Sequence, residues 1–324
     1  MKRFIGCDLG GTNLRAAMVD VEAGIVTHHL SVPTLAREGH DAVMRRISGL
    51  ILQLIESSGV VKDLVGGIGI GVPGVLDLDR GETLFLPNLP GTWPHVPLAG
   101  TVSGQVGLPV ALLNDVRSIT FGEWCFGAGK GVETMAVLAI GTGIGGGLVI
   151  NGMLHLGIGG TGGELGHTVI DFNGPRCGCG NYGCLEAFAS GPAISAMGMK
   201  AVAQGLTTKI GELCEFDLNR ITPELIARAS QLGDEIASEI YNRVGFYLGV
   251  AASSICAAVG PQKIVVAGGV ANAGKMLLEP MERTMRERVK VMPVDQVSIV
   301  PAALGDDAGV IGAAAWAARL FSLK

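Results

Sequence analysis

The chain has 324 residues, which is enough for about two domains of ~100–200 residues each. Hydrophobic residues make up 48% and charged residues 16%, which excludes a disordered chain, and the net charge of −5 argues against nucleic acid or an anionic membrane surface as a partner. Glycine is the outlier at 51 residues, which predicts many tight turns and close backbone approaches.

The first part of the chain predicts a β-meander followed by alternating helices and strands. Apolar runs predict strands at 4–9, 14–19, 25–32, 65–72 and 110–113. Apolar residues at helical spacing predict a helix at 41–57, stopped by Gly59, and a second helix at 115–126. The segment 87–97, rich in proline and glycine, predicts a loop.

The second part of the chain repeats the opening pattern of strand, Gly/Thr turn and strand. Strands are predicted at 135–140 and 146–150, on either side of the turn at 141–143, just as the first two strands flank the turn at 10–12. Beyond them the sequence predicts mostly helix at 192–254, strands at 263–267 and 297–300, and a final helix at 307–320. An internal repeat at this separation predicts two related domains.

Neither an export signal nor a membrane span is predicted. The apolar run after Arg3 ends at Asp8, which is too short for a signal peptide. The uncharged stretch 244–262 is predicted as a helix buried on all sides rather than as a span. An odd number of cysteines, seven, does not indicate a disulfide framework. We therefore expect the protein in the cytoplasm.

The two Gly/Thr turns are candidate phosphate-binding loops. Each places backbone N–H groups and a threonine hydroxyl at a strand end, where glycine lets an anion approach the backbone. One such turn alone is more often a plain hairpin, but the third glycine pair, Gly268-Gly269, favours a nucleotide site. The G-x-G-x-x-G spacings at 69–74 and 141–146 are not dinucleotide fingerprints, because neither is followed by a predicted helix.

A cysteine–histidine cluster follows the second turn. His167, Cys177, Cys179 and Cys184 lie within 18 residues and are separated by glycines. One imidazole and three thiolates joined by tight turns are typical of a closed, structural zinc site. The alternatives are unrelated thiols beside a surface histidine, or a redox thiol pair, for which the usual C-x-x-C spacing is missing.

Several stretches resemble one family. Gly163-Glu164-Leu165-Gly166-His167, followed by Cys177-Gly178-Cys179-Gly180-Asn181-Tyr182-Gly183-Cys184-Leu185-Glu186, resembles the ROK family (repressor, open reading frame, kinase), and specifically its glucokinase-like members. Further matches, in the family's order along the whole chain, are Asp8-Leu9-Gly10-Gly11-Thr12-Asn13, Pro87-Asn88-Leu89-Pro90-Gly91, Asn114-Asp115 and Gly268-Gly269. The resemblance implies an α/β, actin/hexokinase-like (ribonuclease H-like) fold of two related domains with an interdomain cleft. The smaller, N-terminal domain is expected at 1–115 plus 306–324, and the larger, zinc-carrying domain at 116–305.

The resemblance also implies an activity and a set of site residues. The activity is that of an ATP-dependent hexose kinase, most specifically glucose to glucose 6-phosphate, with Mg²⁺, a structural Zn²⁺ and a homodimer or homotetramer. The implied catalytic base is Asp115. The implied sugar-binding residues are Asn88, Asn114, Asp115, Glu164, His167 and Glu186. The implied ATP and magnesium residues are Asp8, Gly10, Gly11, Thr12, Asn13, Thr142, Gly143, Gly268 and Gly269. The implied metal ligands are His167, Cys177, Cys179 and Cys184.

Some interpretations stay open beside the resemblance. The position of Asp115 before an apolar helix is equally consistent with a helix N-cap. Glu164 and Glu186 are expected to be buried hydrogen-bond acceptors. Where the family has small residues after the catalytic aspartate, this chain has Val116-Arg117-Ser118-Ile119, which bears on sugar preference and on helix packing.

Other functions also have to be weighed. Kinases for N-acetylmannosamine, N-acetylglucosamine, allose and fructose share these motifs with those for glucose. A repressor of this family carries a helix-turn-helix before the first phosphate loop, and we expect none here because that loop begins at Asp8. A non-catalytic sugar-sensing regulator is less favoured, because Asp115 and both phosphate turns are intact.

Overall fold

The computed structural model describes residues 3–87 and 89–322. Its strands are β1 Arg3–Leu9, β2 Asn13–Asp20, β3 Ile25–Pro33, β4 Val65–Val72, β5 Val75–Asp77, β6 Glu82–Phe85, β7 Val110–Asn114, β8 Met135–Ile140, β9 Ile144–Ile150, β10 Met153–Leu154, β11 Lys263–Ala267 and β12 Ser298–Pro301. Its α-helices are α1 His40–Ser58, α2 Leu98–Val106, α3 Asp115–Cys125, α4 Leu185–Ala189, α5 Gly191–Ala203, α6 Lys209–Leu213, α7 Pro223–Gln231, α8 Glu235–Val259, α9 Lys275–Arg288 and α10 Ala308–Phe321. The predicted strands and helices are present, and the structure adds β5, β6, β10, α2, α4 and α9.

Two compact units are interleaved along the chain. Of the described residues, unit 1 takes those in Met1–Gly131, Gly147–Gly163 and Ala303–Lys324, and unit 2 takes those in Val132–Gly146 and Glu164–Ala302. The domain boundaries that the resemblance implies, at 1–115 plus 306–324 and at 116–305, stay a prediction.

The two five-stranded sheets share one topology. The first has the order β3-β2-β1-β4-β7, and the second has the order β10-β9-β8-β11-β12. In the first, β1, β4 and β7 are parallel while β2 runs antiparallel to β1; in the second, β8, β11 and β12 are parallel. If the five strands of each sheet are numbered separately from 1 to 5 in chain order, both sheets have the strand order 3-2-1-4-5. The internal repeat predicted from the Gly/Thr turns is therefore confirmed.

Unit 1 is a sheet covered by helices on both faces. Side chains of β1 alternate: Ile5, Cys7 and Leu9 enter the core built with α1 and α2, whereas Phe4 enters the core built with α10. Because Asp8 follows the same alternation, its side chain projects toward the α10 face. A β-carbon added at Gly309 of α10 would lie 3.6 Å from the Asp8 carboxyl carbon, which places the first turn of α10 beside this carboxylate.

Glycine in the sheet lets α10 lie directly on the backbone of unit 1. A β-carbon at Gly6 of β1 would come within 1.8 Å of the Val310 carbonyl oxygen, and one at Gly69 of β4 within 1.8 Å of the Ala313 oxygen. Gly312 of α10 lies equally close to the backbone of α3. These close approaches account for part of the glycine excess, as the composition predicts.

Helix α8 is the central helix of unit 2, where α4, α5, α7 and α9 pack against it. The prediction of a helix buried on all sides is wrong: Phe246 is 41% exposed, and the neighbouring helices cover one face only. Among the described helices it is the one long and apolar enough to cross a membrane, and 44% of its most apolar window is buried inside the structure. Its packing against four helices identifies it as a core helix of unit 2.

Candidate active site

Three predicted site residues meet at one edge of the first sheet. Because β1, β4 and β7 are parallel, their carboxyl ends lie at the same edge. Asp8 stands opposite Gly71 near the end of β1, Asn114 is the last residue of β7, and Asp115 begins α3. The structure therefore brings Asp8, Asn114 and Asp115 together within unit 1.

The two carboxylates at this edge influence each other. Burial, and after it the negative charge of Asp115, raise the pKa of Asp8 to about 6, while the positive charge of Arg15 opposes the shift. Carboxylate oxygens are the ligands that Mg²⁺ prefers, and a divalent cation beside Asp8 would relieve the cost of its ionised form. The chemistry of this pair therefore fits the predicted magnesium position.

Asn114, rather than Asp115, caps helix α3. Its Oδ1 accepts hydrogen bonds from the backbone N–H groups of Val116 (3.1 Å) and Arg117 (3.2 Å), and its Nδ2 donates to the Gly74 carbonyl oxygen (3.2 Å). Asp115 occupies the first helical position, so the interpretation of Asp115 as the N-cap is wrong. This leaves the Asp115 carboxylate at the edge of the sheet, where its Oδ1 also accepts from the Val116 N–H (2.9 Å).

The loop that contains Asn88 is held by a buried tryptophan. Asn88 itself lies outside the described residues. Trp93 is 1% exposed; its Nε1 donates to the Pro90 carbonyl (3.1 Å) and its own carbonyl accepts from the Thr83 hydroxyl (2.6 Å). Thr92, Trp93 and His95 all have φ near +50° (52°, 49° and 54°), a left-handed conformation that is strained for side chains of this size. The predicted loop therefore carries concentrated strain on the carboxyl side of Asn88.

The predicted phosphate turn of unit 1 is a tight hairpin. The Gly10 N–H donates to the Asn13 carbonyl (3.0 Å), and a β-carbon at Gly10 would lie 2.8 Å from that oxygen, so a side chain there would displace the turn. Gly11, Thr12 and Asn13 are exposed.

The cysteine–histidine cluster assembles in unit 2. The ligand atoms of His167, Cys177, Cys179 and Cys184 all lie within 4.8 Å of one another. Cys179 Sγ is 3.8 Å from Cys184 Sγ, and Cys177 Sγ is 3.7 Å from His167 Nδ1. Tetrahedral zinc with bonds of ~2.3 Å to sulfur and ~2.0 Å to nitrogen would place two sulfur ligands ~3.8 Å apart and a sulfur and a nitrogen ligand ~3.5 Å apart. The donor set therefore fits Zn²⁺, with Nδ1 of His167 on the metal side.

Tight turns position these ligands. The Cys177 N–H donates to the Asn181 carbonyl (2.7 Å), and the Gly180 N–H donates back to the Cys177 carbonyl (3.0 Å). Gly183 has a φ of 70°, and a β-carbon there would lie 1.7 Å from the Asp171 oxygen, so only glycine fits before Cys184. Glycine at position 183 is thus a structural requirement of this turn.

The thiols of the cluster have shifted pKa values. Burial raises the pKa of Cys177 to about 12 and also raises that of Cys184, whereas the backbone N–H of Asn181 lowers the pKa of Cys179. Since a metal binds thiolates, a bound cation would reverse the shifts of Cys177 and Cys184 and release their protons.

The two predicted sugar-binding glutamates differ in environment. Glu186 Oε2 accepts from the Ile144 N–H (2.9 Å), and its Oε1 lies 3.5 Å from Cys177 Sγ. Glu186 therefore links the cysteine cluster to the turn between β8 and β9. The expectation that both glutamates are buried is wrong: Glu186 is half-buried, and Glu164, which precedes the 3-10 turn Leu165–His167, is exposed.

The second Gly/Thr turn lines a cavity in unit 2. The Gly191 N–H at the start of α5 donates to the Gly141 carbonyl (2.8 Å), and Gly268, with a φ of 87°, lies against the Ile140 carbonyl. The cavity of about 370 Å³ is lined by the predicted residues Thr142 and Gly269, together with Gly141, Gly191, Pro192, Ser195, Thr222, Pro223, Glu224 and Val270. A second cavity of about 170 Å³ shares Glu224 and Gly269 and continues to Arg228 and Asn272.

Sequence reasoning missed most of the cavity lining. Thr222-Pro223 and Gly191-Pro192 are recognisable helix starts, but a helix start does not by itself indicate a ligand. In the sequence, Arg117 stands out only as a departure from the family's pattern.

Comparisons with known proteins agree over nearly the whole chain. A model described as the ROK family matches residues 4–320. A glucokinase of Thermotoga maritima is 35% identical over 315 residues, which cover 96% of each chain. A xylose repressor of Bacillus subtilis is 31% identical over 314 residues, which cover 95% of this chain and 75% of the repressor. The crystal structure of a ROK family glucokinase from Streptomyces griseus, in complex with glucose and AMPPNP, matches with a TM-score of 0.82 at 30% identity and covers 99% of this chain and 100% of that one.

These matches confirm the predicted fold class. The chain is α/β and has the two-domain, actin/hexokinase-like fold of the ROK glucokinase structures. With a family model matched from residue 4 to residue 320 and relatives above 30% identity along nearly its full length, the chain belongs to the ROK family.

Proposed function

We propose that this protein is an ATP-dependent hexose kinase that transfers the γ-phosphoryl group of ATP to a sugar hydroxyl, with glucose as the preferred sugar. The observation that carries the proposal is the meeting of Asp8, Asn114 and Asp115 at one sheet edge of a ROK chain. Phosphoryl transfer depends on positioning and charge neutralisation, and this edge offers a base, a hydrogen-bonding amide and a cation-binding carboxylate.

Asp115 is proposed as the general base. It accepts the proton of the attacking sugar hydroxyl as the oxygen bonds to the γ-phosphorus and the bond from that phosphorus to the bridging oxygen of ADP breaks. Such a base contributes ~10²–10⁴ in rate. Magnesium held at Asp8 would supply charge neutralisation on the β- and γ-phosphates. The Gly10–Asn13 turn offers backbone N–H groups to the same phosphates.

Unit 2 is proposed to contribute the remaining binding groups. Glu164, Glu186 and His167 each bind a sugar hydroxyl, and a sugar that lacks such a hydroxyl leaves a polar group without its partner. With Nδ1 of His167 on the metal side, its Nε2 is the nitrogen that contacts the sugar. Zinc held by the cysteine cluster would be structural, because four protein ligands complete its shell.

The cavities behind the second Gly/Thr turn are proposed to hold the adenosine part of ATP. A cavity of about 370 Å³, which shares lining residues with a second, smaller cavity, suits a nucleoside in size. Thr142 and Gly143 then lie on the phosphate side, while Gly268 and Gly269 lie on the nucleoside side. Asn88 is proposed to bind the sugar from its strained loop. We also propose that the protein is a homodimer or homotetramer in the cytoplasm and that it has no nucleic-acid partner.

A sugar-responsive regulator is the second candidate. The 31% identity to the Bacillus subtilis xylose repressor supports it, and such a protein would bind sugar without turnover. Kinases for N-acetylmannosamine, N-acetylglucosamine, allose or fructose are the alternatives within the enzyme class.

A coupled assay of ADP release with a panel of hexoses tests the proposal. We expect hexose-dependent ADP release with Mg-ATP, fastest with glucose. Sugar binding by calorimetry without any ADP release from the zinc-loaded protein would favour the regulator instead. A higher kcat/KM for N-acetylmannosamine than for glucose would retain the kinase and correct the substrate.

A further inference from the structure

Arg117 is a buried cation beside the proposed catalytic base. It lies in the first turn of α3, two residues after Asp115, and is 2% exposed. An arginine is rarely buried to this extent unless hydrogen bonds satisfy its guanidinium group. The hydrogen bonds of the guanidinium group therefore show which neighbouring groups Arg117 holds in place.

One side of the guanidinium group binds the amide of Asn114. Arg117 Nη1 donates to Asn114 Oδ1 at 2.8 Å, in addition to the two backbone N–H groups that this oxygen already accepts. Three donors around this oxygen fix the orientation of the Asn114 amide group, because the amide nitrogen cannot accept a hydrogen bond. Asn114 consequently turns its Nδ2 away from α3, as the hydrogen bond to the Gly74 carbonyl confirms (3.2 Å). The Asn114 amide is thereby held with its accepting end toward α3 and its donating end toward Gly74.

The other side of the guanidinium group holds a glycine-rich segment. Arg117 Nε and Nη2 both donate to the Gly162 carbonyl oxygen, at 3.1 and 2.8 Å. The same glycine donates its N–H to the Leu156 carbonyl (2.7 Å), so the segment is pinned from both sides of its peptide chain. Glu164 follows two residues later. The segment 157–163 has left-handed glycines at 157, 159, 160 and 163 and would be mobile without such an anchor.

We propose that Arg117 is a positioning residue for sugar binding, which sets the Asn114 amide and the 157–163 segment in one arrangement. The proposal rests on the kinase function above. Arginine suits this task because its planar, rigid fork reaches two acceptors in different directions at once, whereas lysine offers a single point charge. The departure from small residues after the proposed catalytic aspartate thus acquires a role in recognising the sugar.

Steady-state kinetics of two variants test the proposal. Losing charge-assisted hydrogen bonds corresponds to a roughly 10–100-fold loss of binding, so Arg117→Met should raise the sugar KM by about that factor. The KM for ATP should change by less than about threefold, since the adenosine groups lie in unit 2. Arg117→Lys should recover part of the sugar affinity. Equilibrium binding of glucose, measured by calorimetry without nucleotide, should weaken in the same order.

Arg286→Met is the matched control. Arg286 Nη1 likewise donates to a backbone carbonyl, that of Val294 (3.3 Å), and Nη2 pairs with Glu282 (2.7 Å), all within unit 2 and outside the proposed sugar site. It should lower thermal stability without changing the sugar KM. If Arg117→Met does not fold, the Arg117→Lys variant carries the same comparison.

The outcomes separate this inference from the proposed function. Suppose that the wild-type enzyme phosphorylates a hexose, and that the Arg117 variants keep the wild-type sugar KM and lose only stability. This result overturns the positioning role and leaves the kinase function standing. Equal rises in the KM for sugar and for ATP also overturn the positioning role. A wild-type protein without hexose-dependent ADP release refutes the kinase function instead, and calorimetry then reports whether Arg117 still controls sugar binding.

Discussion

The raised pKa of Asp8 predicts that replacing this residue by asparagine stabilises the protein at neutral pH. Its ordinary value of 3.8 rises to about 6 in the folded chain, chiefly through burial. Because the folded state binds the proton more tightly than the unfolded state, ionisation of Asp8 opposes folding. The wild-type protein therefore loses stability as the pH rises from about 4 to about 6, and the loss persists above that range.

The magnitude follows from the shift. About two pKa units at ~1.36 kcal/mol each give about 3 kcal/mol at pH 8, and the same linkage gives about 1.6 kcal/mol at pH 5. Both are upper limits, because Asp8 is partly exposed and solvent screens some of its charge. Asp8→Asn removes the ionisation and keeps the shape, so its advantage over wild type should grow between pH 5 and pH 8.

Urea unfolding at pH 5 and pH 8, in zinc-containing buffer without magnesium or nucleotide, measures this difference. Asp20→Asn is the control: backbone N–H groups and Arg3 lower the pKa of Asp20, so Asp20 is ionised in the folded and the unfolded chain over this whole range, and its replacement should destabilise the protein by the same amount at pH 5 and pH 8. An Asp8→Asn protein no more stable than wild type at pH 8 would refute the reasoning. The same variant should lose activity, since a carboxylate that destabilises the fold is retained for binding.

Three further predictions concern unit 2 and the α3 helix. Cys179→Ser should lose zinc, measured by metal analysis, together with sugar affinity; a native protein without zinc would contradict the fit of the cluster. Glu123→Ala should lower the free energy of unfolding by about 3 kcal/mol, because its buried carboxylate accepts the backbone N–H groups of 303–304, and an unchanged urea midpoint would contradict this. Gly143→Ala should weaken binding of AMPPNP, because its β-carbon would lie 2.5 Å from Glu186 Oε2; unchanged affinity by calorimetry would contradict that.

The sequence predicts the repeated sheets well because apolar runs and Gly/Thr turns are local signals. The prediction fails where a residue is required by a contact with a part of the chain that is distant in sequence. β9 begins at Ile144, two residues before the predicted start, and runs through three glycines, of which Gly147 allows a close approach to Thr120. Helix α9 contains Pro280, a residue that normally ends helices, and the proline ring packs into the space that Gly245 leaves in α8. Neither contact is readable from one stretch of sequence.

Some residues of the candidate site can likewise be identified from the sequence, and others cannot. The four metal ligands could be found from spacing, because a closed tetrahedral shell imposes tight turns on the chain that carries it. The roles of Asn114 and Arg117 could not, since sequence does not show that one side chain caps the helix while the other is buried against it. The exposure of Glu164 likewise depends on packing that no motif encodes.

The central claim is that Asp115 removes the proton from the sugar hydroxyl. Its most direct measurement is the turnover of Asp115→Asn with saturating glucose and Mg-ATP, beside glucose binding by calorimetry. The account predicts that kcat falls by ~10²–10⁴ while the dissociation constant for glucose changes by less than about threefold. A variant that turns over within about threefold of the wild type would contradict it.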